Sequence, residues 1–176
     1  MEEQELVKKC LRGNERAQKK LFDQYAPQMM TVCNRYANRN DQALDMLQEG
    51  FIRVFDKLGQ YSGKGSLAGW IRSVVVSTSL TILRREKKFS FSEDIDDQLD
   101  VSSTSEDALS ALAFEELLGL IQRLPAGYRT VFNLYAIEGF AHKEIAEKLG
   151  VTESTSKTQY KKAKAQLQKL IEENEG

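Results

Sequence analysis

Leu44, Leu47, Phe51, Val54 and Leu58 recur at steps of 3, 4, 3 and 4. That is the period of one buried stripe on an α-helix; a strand alternates every two residues. The same period returns along both ends of the chain. Asp41 is the N-cap candidate for the helix carrying this stripe. Asn14 can cap an earlier helix with Ala17, Leu21 and Tyr25, and Pro27 can open another with Met30, Cys33 and Ala37. Ser66 can cap a helix with Leu67, Trp70, Ile71, Val74, Thr78 and Ile82 on one side. Its Val74-Val75-Val76 run favours strand, but the period of the surrounding apolar positions outweighs three residues. Ser105, followed by Glu106 and Asp107, opens a helix through Leu109, Leu112, Leu117, Ile121 and Leu124, which Pro125 stops. The expected fold class is all-α.

Charge divides these helices into two groups. The 25 Lys plus Arg nearly balance the 26 Asp plus Glu, yet residues 1–88 hold 16 bases and 10 acids, residues 89–120 hold no base and 9 acids, and residues 121–176 hold 9 bases and 7 acids. A stretch from Phe89 to Thr104 without Lys or Arg, with Ser90, Ser92, Ser102 and Ser103 among its acids, reads as a solvated connector. The 176 residues then form two small helical domains, 1–88 and 105–176, joined by an acidic linker at 89–104. No apolar run approaches the ~18 residues of a membrane span. The acidic start Met1-Glu2-Glu3-Gln4-Glu5 is unlike a secretory signal, so the expected location is cytoplasmic, with no membrane insertion. Cys10 and Cys33 form no CxxC pair and His142 is remote from both, which favours two buried thiols over a zinc site or disulfide. No metal and no cofactor is expected.

The C-terminal part has the spacing of a helix-turn-helix. A helix from Arg129 to Ile137 is followed by a break at Glu138-Gly139. A second helix then runs from His142 to Leu149, a turn falls at Gly150-Val151, and a last helix begins at Thr152. Ile145, Ala146, Leu149 and Val151 supply the small apolar contacts two crossing helices need. Ser154, Thr155, Lys157, Thr158 and Gln159 near the start of the last helix suit base edges in a major groove, and Lys161 and Lys162 suit phosphates. A solvated amphipathic helix is the alternative reading of the same charges.

In the N-terminal part, Asp45, Gln48, Glu49, Ile52 and Asp56 make one polar patch opposite the Leu/Phe stripe, either a solvated face or a partner-docking surface. A carboxylate-bridged metal site wants paired His, and this part of the chain has none. Tyr61, Lys64, Trp70, Arg72, Arg84 and Arg85 interleave aromatics with cations, as suits a single nucleic-acid strand; Trp70 also fits core packing. The Gly59 to Ser66 loop fails the spacing of a phosphate-binding loop.

Three ordered blocks resemble the two-domain, extracytoplasmic-function type of sigma-70 family RNA polymerase sigma factors. They are DMLQEGFIRVF at Asp45 to Phe55, GSLAGWIRSVVVSTSLTILRR at Gly65 to Arg85, and LPAGYRTVFNLYAIEGFAHKEIAEKLGVTESTSKTQYKKAKAQL at Leu124 to Leu167. The resemblance implies that the first block grips the clamp coiled coil of the polymerase largest subunit, with Asp45, Gln48 and Glu49 at matching positions. It implies that the second opens and reads the -10 promoter element and that the third reads the -35 element. The sequence departs from the family's pattern at Ser77 and Thr81, where similar proteins commonly carry Asn and Asp, and at Ala141, where they often carry Ser or Thr.

The function expected from these readings is transcription initiation: binding core RNA polymerase, directing it to promoter DNA and helping to melt it. The core-binding residues are Asp45, Gln48, Glu49 and Ile52; the -10 residues are Tyr61, Lys64, Arg72, Ser77, Arg84 and Arg85. The -35 residues are Ser154, Thr155, Lys157, Thr158, Gln159, Lys161 and Lys162. An anti-sigma factor is a partner that the resemblance alone implies. A stand-alone helix-turn-helix regulator and a helical adaptor without DNA binding are the alternatives. No nucleophile and base stand at a spacing that suggests an enzyme.

Overall fold

The structure, a computed structural model, describes residues 2–86 and 113–175. The acidic connector, Lys87, Lys88 and residues 105–112 lie outside the described residues; the helix expected to run unbroken from Ser105 through Leu124 is not continuous, because Ala113 is extended and caps a helix that covers only Phe114–Gln122. Every regular element among the described residues is helical, including the Val74-Val75-Val76 run. The chain divides into two compact units at Arg85/Glu86.

The first unit holds α1 (Glu3–Leu11), α2 (Glu15–Tyr36), α3 (Asn40–Lys57), a 3-10 turn (Leu58–Gln60) and α4 (Leu67–Arg85). Asn14 caps α2, its side chain accepting the Ala17 N–H at 3.0 Å. Pro27 does not open a new helix; it lies inside α2. Proline there removes one intrahelical bond, but Pro27 and Asp23, whose carbonyl loses its donor, both lie on the exposed side. The buried line of Leu21, Tyr25, Met29, Cys33 and Tyr36 runs on past the proline and holds the helix together, with Met29 rather than Met30 at its centre.

The N-cap of α3 is Arg39, not Asp41. Here Gln42 folds back, its Oε1 accepting the Asn38 N–H at 2.7 Å. The buried face of α3 comprises Ala43, Met46, Leu47, Gly50, Phe51 and Val54, while Leu44 is 43% exposed. The reason is Gly50. A Cβ at that position would lie 3.2 Å from Val75 Cγ2, so α3 meets α4 across a residue with no side chain, and the stripe is rotated away from Leu44. Ser66 stands just before α4 and caps it, its Oγ accepting the Gly69 N–H at 3.1 Å. Ile71, Val75, Thr78 and Ile82 are buried, and Trp70 and Val74 are half-buried.

The second unit holds α5 (Phe114–Gln122), α6 (Ala126–Phe132) running into a π turn (Asn133–Ile137), α7 (His142–Leu149) and α8 (Glu153–Glu175). Its core joins Leu120, Ile121, Leu124 and Phe132 to Ala163, Leu167, Leu170 and Ile171 of α8. Arg129 is buried, and its Nη1 donates to the Gln122 carbonyl at 3.1 Å, setting a cation against the negative end of α5. Ala141 at the start of α7 offers no side-chain cap, but Glu144 Oε1 accepts its N–H at 3.2 Å, half of a capping box. Gly150, at φ +69°, ends α7 in the left-handed conformation that glycine adopts without strain. The Val151 N–H then reaches the Ala146 carbonyl at 3.0 Å. Among the described residues no helix is long and apolar enough to cross a membrane.

Candidate functional site

The residues singled out in the first unit fall on two helix faces. Asp45, Gln48 and Ile52 are exposed on α3, Ile52 at 61%. With Leu44 they put apolar surface between polar groups, a composition suited to a partner. Glu49 is half-buried and already engaged: Arg85 Nη2 donates to both its carboxylate oxygens, at 3.1 and 3.2 Å. This ion pair between residues 36 positions apart in sequence links the α3 patch to the basic end of α4. No sequence spacing signals it, because the pairing depends on how α3 and α4 are rotated against each other.

On α4, Trp70, Ser73, Ser77, Thr81 and Arg84 follow steps of 3 and 4 and form one solvent-facing side. Most hydroxyls of this helix bond back to a carbonyl in the preceding turn: Ser73 to Trp70 at 2.6 Å, Thr78 to Val74 at 2.8 Å, Ser79 to Val75 at 2.9 Å and Thr81 to Ser77 at 3.0 Å. Exposed Ser77 makes no such bond among the described residues. Arg72 does not share this face. It stands five residues before Ser77 and is half-buried, so it projects from another flank of the helix.

The loop before α4 is closed on itself. Tyr61 Oη donates to the Gly65 carbonyl at 2.8 Å, the Lys64 N–H donates to Ser62 Oγ at 3.3 Å, and Gly63 and Gly65 take φ of +78° and +77°. The Tyr61 and Trp70 rings lie 5.7 Å apart at 47°, and Lys64 is exposed in the loop between them in sequence. Trp70 is thus an edge residue, packed on one side and open on the other.

In the second unit, Ser154, Lys157, Thr158 and Lys161 are exposed along one side of α8, and Thr155 is half-buried beside them. Thr152 orders the start of this helix, its Oγ1 accepting the Thr155 N–H at 3.0 Å. Lys157 pairs with Glu153 at 3.5 Å. Gln159 and Lys162 do not belong to the exposed side. They are 8% and 9% exposed, because they fall among Ser156, Ala163 and Leu167 on the side of α8 that packs into the unit.

An aromatic cluster that the sequence reading misses stands beside the helix-turn-helix. Tyr135 stacks on His142 at 4.2 Å and 11°, and Tyr160 meets them at 4.5 and 5.8 Å. These rings help line a cleft of about 910 Å³ with Phe132, Ile137 and Phe140. The cluster depends on the π turn, which bonds the Glu138 N–H to the Asn133 carbonyl at 2.9 Å and which no helical period forecasts. The two cysteines are free and buried, as expected.

Comparison with known proteins agrees with this layout. The sequence pattern of "Sigma-70 region 2" matches residues 21–89 and that of "Sigma-70, region 4" matches residues 114–167. The chain is similar to an ECF RNA polymerase sigma-E factor of Haemophilus influenzae, 24% identical over 97% of this chain and 95% of that one. It is also similar to the RNA polymerase sigma factor SigZ of Bacillus subtilis, 27% identical over 86% and 85%. Among solved structures, the sigma factor RpoE of Bartonella quintana, crystallised with the anti-sigma factor NepR, shares the fold, with a TM-score of 0.52 at 15% identity over 88% of this chain and 96% of that one. With both region patterns present in order, on two helical units of which the second carries a helix-turn-helix, the chain belongs to the sigma-70 family of RNA polymerase sigma factors, of the extracytoplasmic-function type.

Proposed function

We propose that this transcription initiation factor docks on core RNA polymerase through the α3 face and reads promoter DNA with α4 and α8. As a sigma-70 factor it directs the polymerase to promoters and is not an enzyme. The observation that supports the division of labour is exposure: Asp45, Gln48 and Ile52, then Ser77 and Arg84, then Ser154, Lys157, Thr158 and Lys161 all face solvent on helices whose other sides are buried. A stand-alone regulator has no use for the α3 face.

In this reading the first unit captures unstacked bases of the -10 element. The Tyr61–Trp70 pair provides aromatic surface for a base, while Lys64 and Arg84 neutralise phosphates. Stacking of this kind offsets an unstacking cost of roughly a few kcal/mol per base step. Arg85 adds a cation at the same end of α4, and Arg72 supports the helix from its flank. The exposed side of α8 enters the major groove at the -35 element, with Thr155 and Thr158 toward base edges and Lys157 and Lys161 toward phosphates. The setting is the cytoplasm, where polymerase and promoters meet, and an anti-sigma protein is a further partner, as for the Bartonella quintana factor.

The test is binding to core polymerase, followed by transcription from a promoter pool. Asp45→Lys is the cleaner variant, since Glu49→Lys also breaks the bond to Arg85. Asp45→Lys is expected to weaken core binding at least about tenfold, a typical cost for a mispaired charge at an interface, with helix content unchanged. Unchanged affinity overturns the docking assignment.

A further inference from the structure

Ser156 is fully buried in the middle of the proposed reading segment, between Thr155 and Lys157. Its Oγ lies 2.8 Å from Nδ1 of His142, the first residue of α7, and either group can be the donor. One turn further along α8, Tyr160 packs against the same imidazole at 5.8 Å, and Tyr135 of the π turn stacks on it at 4.2 Å. One side chain of α7 therefore meets α8 at a polar point and at an aromatic point one turn apart. Two such points on one helix flank fix its rotation about its own axis. This matters because a helix with side chains has a radius of about 5–6 Å, so a rotation of about 20° carries a side-chain tip roughly 2 Å. A hydrogen bond to a base edge does not survive that displacement.

We infer that His142 is a positioning residue for promoter readout, acting through Ser156 and Tyr160 to set the rotation of α8 and hence which of the Thr155 and Thr158 hydroxyls meets a base. The inference rests on the reading of α8 as the -35 helix. His142 touches no base in this scheme. Its effect is on which sequence is preferred and not on how many phosphates are held.

The experiment uses the full chain with core polymerase and a set of promoters carrying every single-base change in the -35 element, with thermal melting recorded for each variant. Ser156→Ala deletes one oxygen. His142→Phe keeps the ring stack and loses Nδ1, whereas His142→Asn keeps a polar atom near the Nδ1 position. Ser156→Ala and His142→Phe are each expected to change the ratio between preferred and disfavoured bases by about five- to tenfold, the size of one missing bond to a buried partner. The double variant is expected to go no further, because both substitutions remove the same polar link, and His142→Asn, which keeps a polar atom for Ser156 but gives up the ring contact with Tyr160, to keep the original preference only in part. If His142→Phe does not fold, Ser156→Ala and His142→Asn still decide the matter. A uniform loss of affinity across all promoters, tracking melting temperature, overturns the positioning role, as does a preference profile that Ser156→Ala leaves unchanged. Failure of the underlying reading is recognised separately: Lys157→Ala and Lys161→Ala then leave the salt dependence of promoter binding untouched.

Discussion

Cys33 has none of its surface open to water, and burial pushes its thiol up to about 11 even though the Ser79 hydroxyl pulls the other way. The thiolate is the reactive form, so at pH 8 about one molecule in a thousand would carry it. Burial also raises Cys10. Both cysteines are therefore expected to resist iodoacetamide in the native protein and to label only as fast as the first unit opens. Rapid native labelling of Cys33 would contradict the buried position. His142 shows the opposite sign of effect. Burial, and then the nearby Lys157 charge, hold its pKa below the ordinary histidine value, with Glu153 partly opposing. The unfolded chain thus binds a proton more readily than the folded one in the window between the folded pKa and about 6.5. The histidine's contribution to stability is complete above that window, falls as the pH drops through it, and levels off below. Melting curves from about pH 5 to 8 should show a larger acid loss for the native sequence than for His142→Phe, and parallel curves would show that this imidazole does not titrate differently on folding.

At the level of elements, the contact between α3 and α4 at Gly50 carries the most leverage. A Cβ there would already lie 3.2 Å from Val75 Cγ2, so Gly50→Val forces two helices apart along the surface that orients both the α3 face and the Glu49–Arg85 pair. Overpacking of this kind costs about 1–3 kcal/mol; a lowered unfolding midpoint together with weaker core binding is expected, and a wild-type midpoint would mean that the helices yield freely. The helices themselves were legible from sequence because the 3 and 4 spacing of apolar residues is the direct imprint of one buried side. Their ends and rotations were less so. Asp41 has the chemistry of a cap, but Gln42 folding back on Asn38 sets the helix start at Arg39. Pro27 has the chemistry of a helix start, yet burial on both sides of it outweighs one missing bond. Leu44 fits the period and is exposed because a glycine, not a large side chain, marks the line of closest approach. Gln159 and Lys162 are polar and near the reading segment, but polarity does not say which way a residue faces on a helix packed along one side.

At the scale of the molecule, a formal net charge of -1 gives no long-range attraction to DNA, and at physiological salt charges act over only about 8 Å. Binding must come from local basic faces against an acidic middle, and the number of cations that reach phosphate is then measurable. Removing one cation from a phosphate should lower the magnitude of the slope of log affinity against log salt by about 0.9. Lys157 and Lys161 are exposed on α8, while Lys162 is 9% exposed and its stem packs against the second unit. For the full chain with core polymerase, Lys157→Ala and Lys161→Ala are each expected to reduce the slope by about one and to leave melting nearly unchanged, with the double variant reducing it by about two. Lys162→Ala is expected to lower the melting temperature through poorer packing and to leave the slope within error. A slope change at Lys162 equal to that at Lys161 would mean that α8 turns on binding DNA, bringing the buried lysine round to the backbone and placing the fixed rotation argued for His142 in conflict with the bound state.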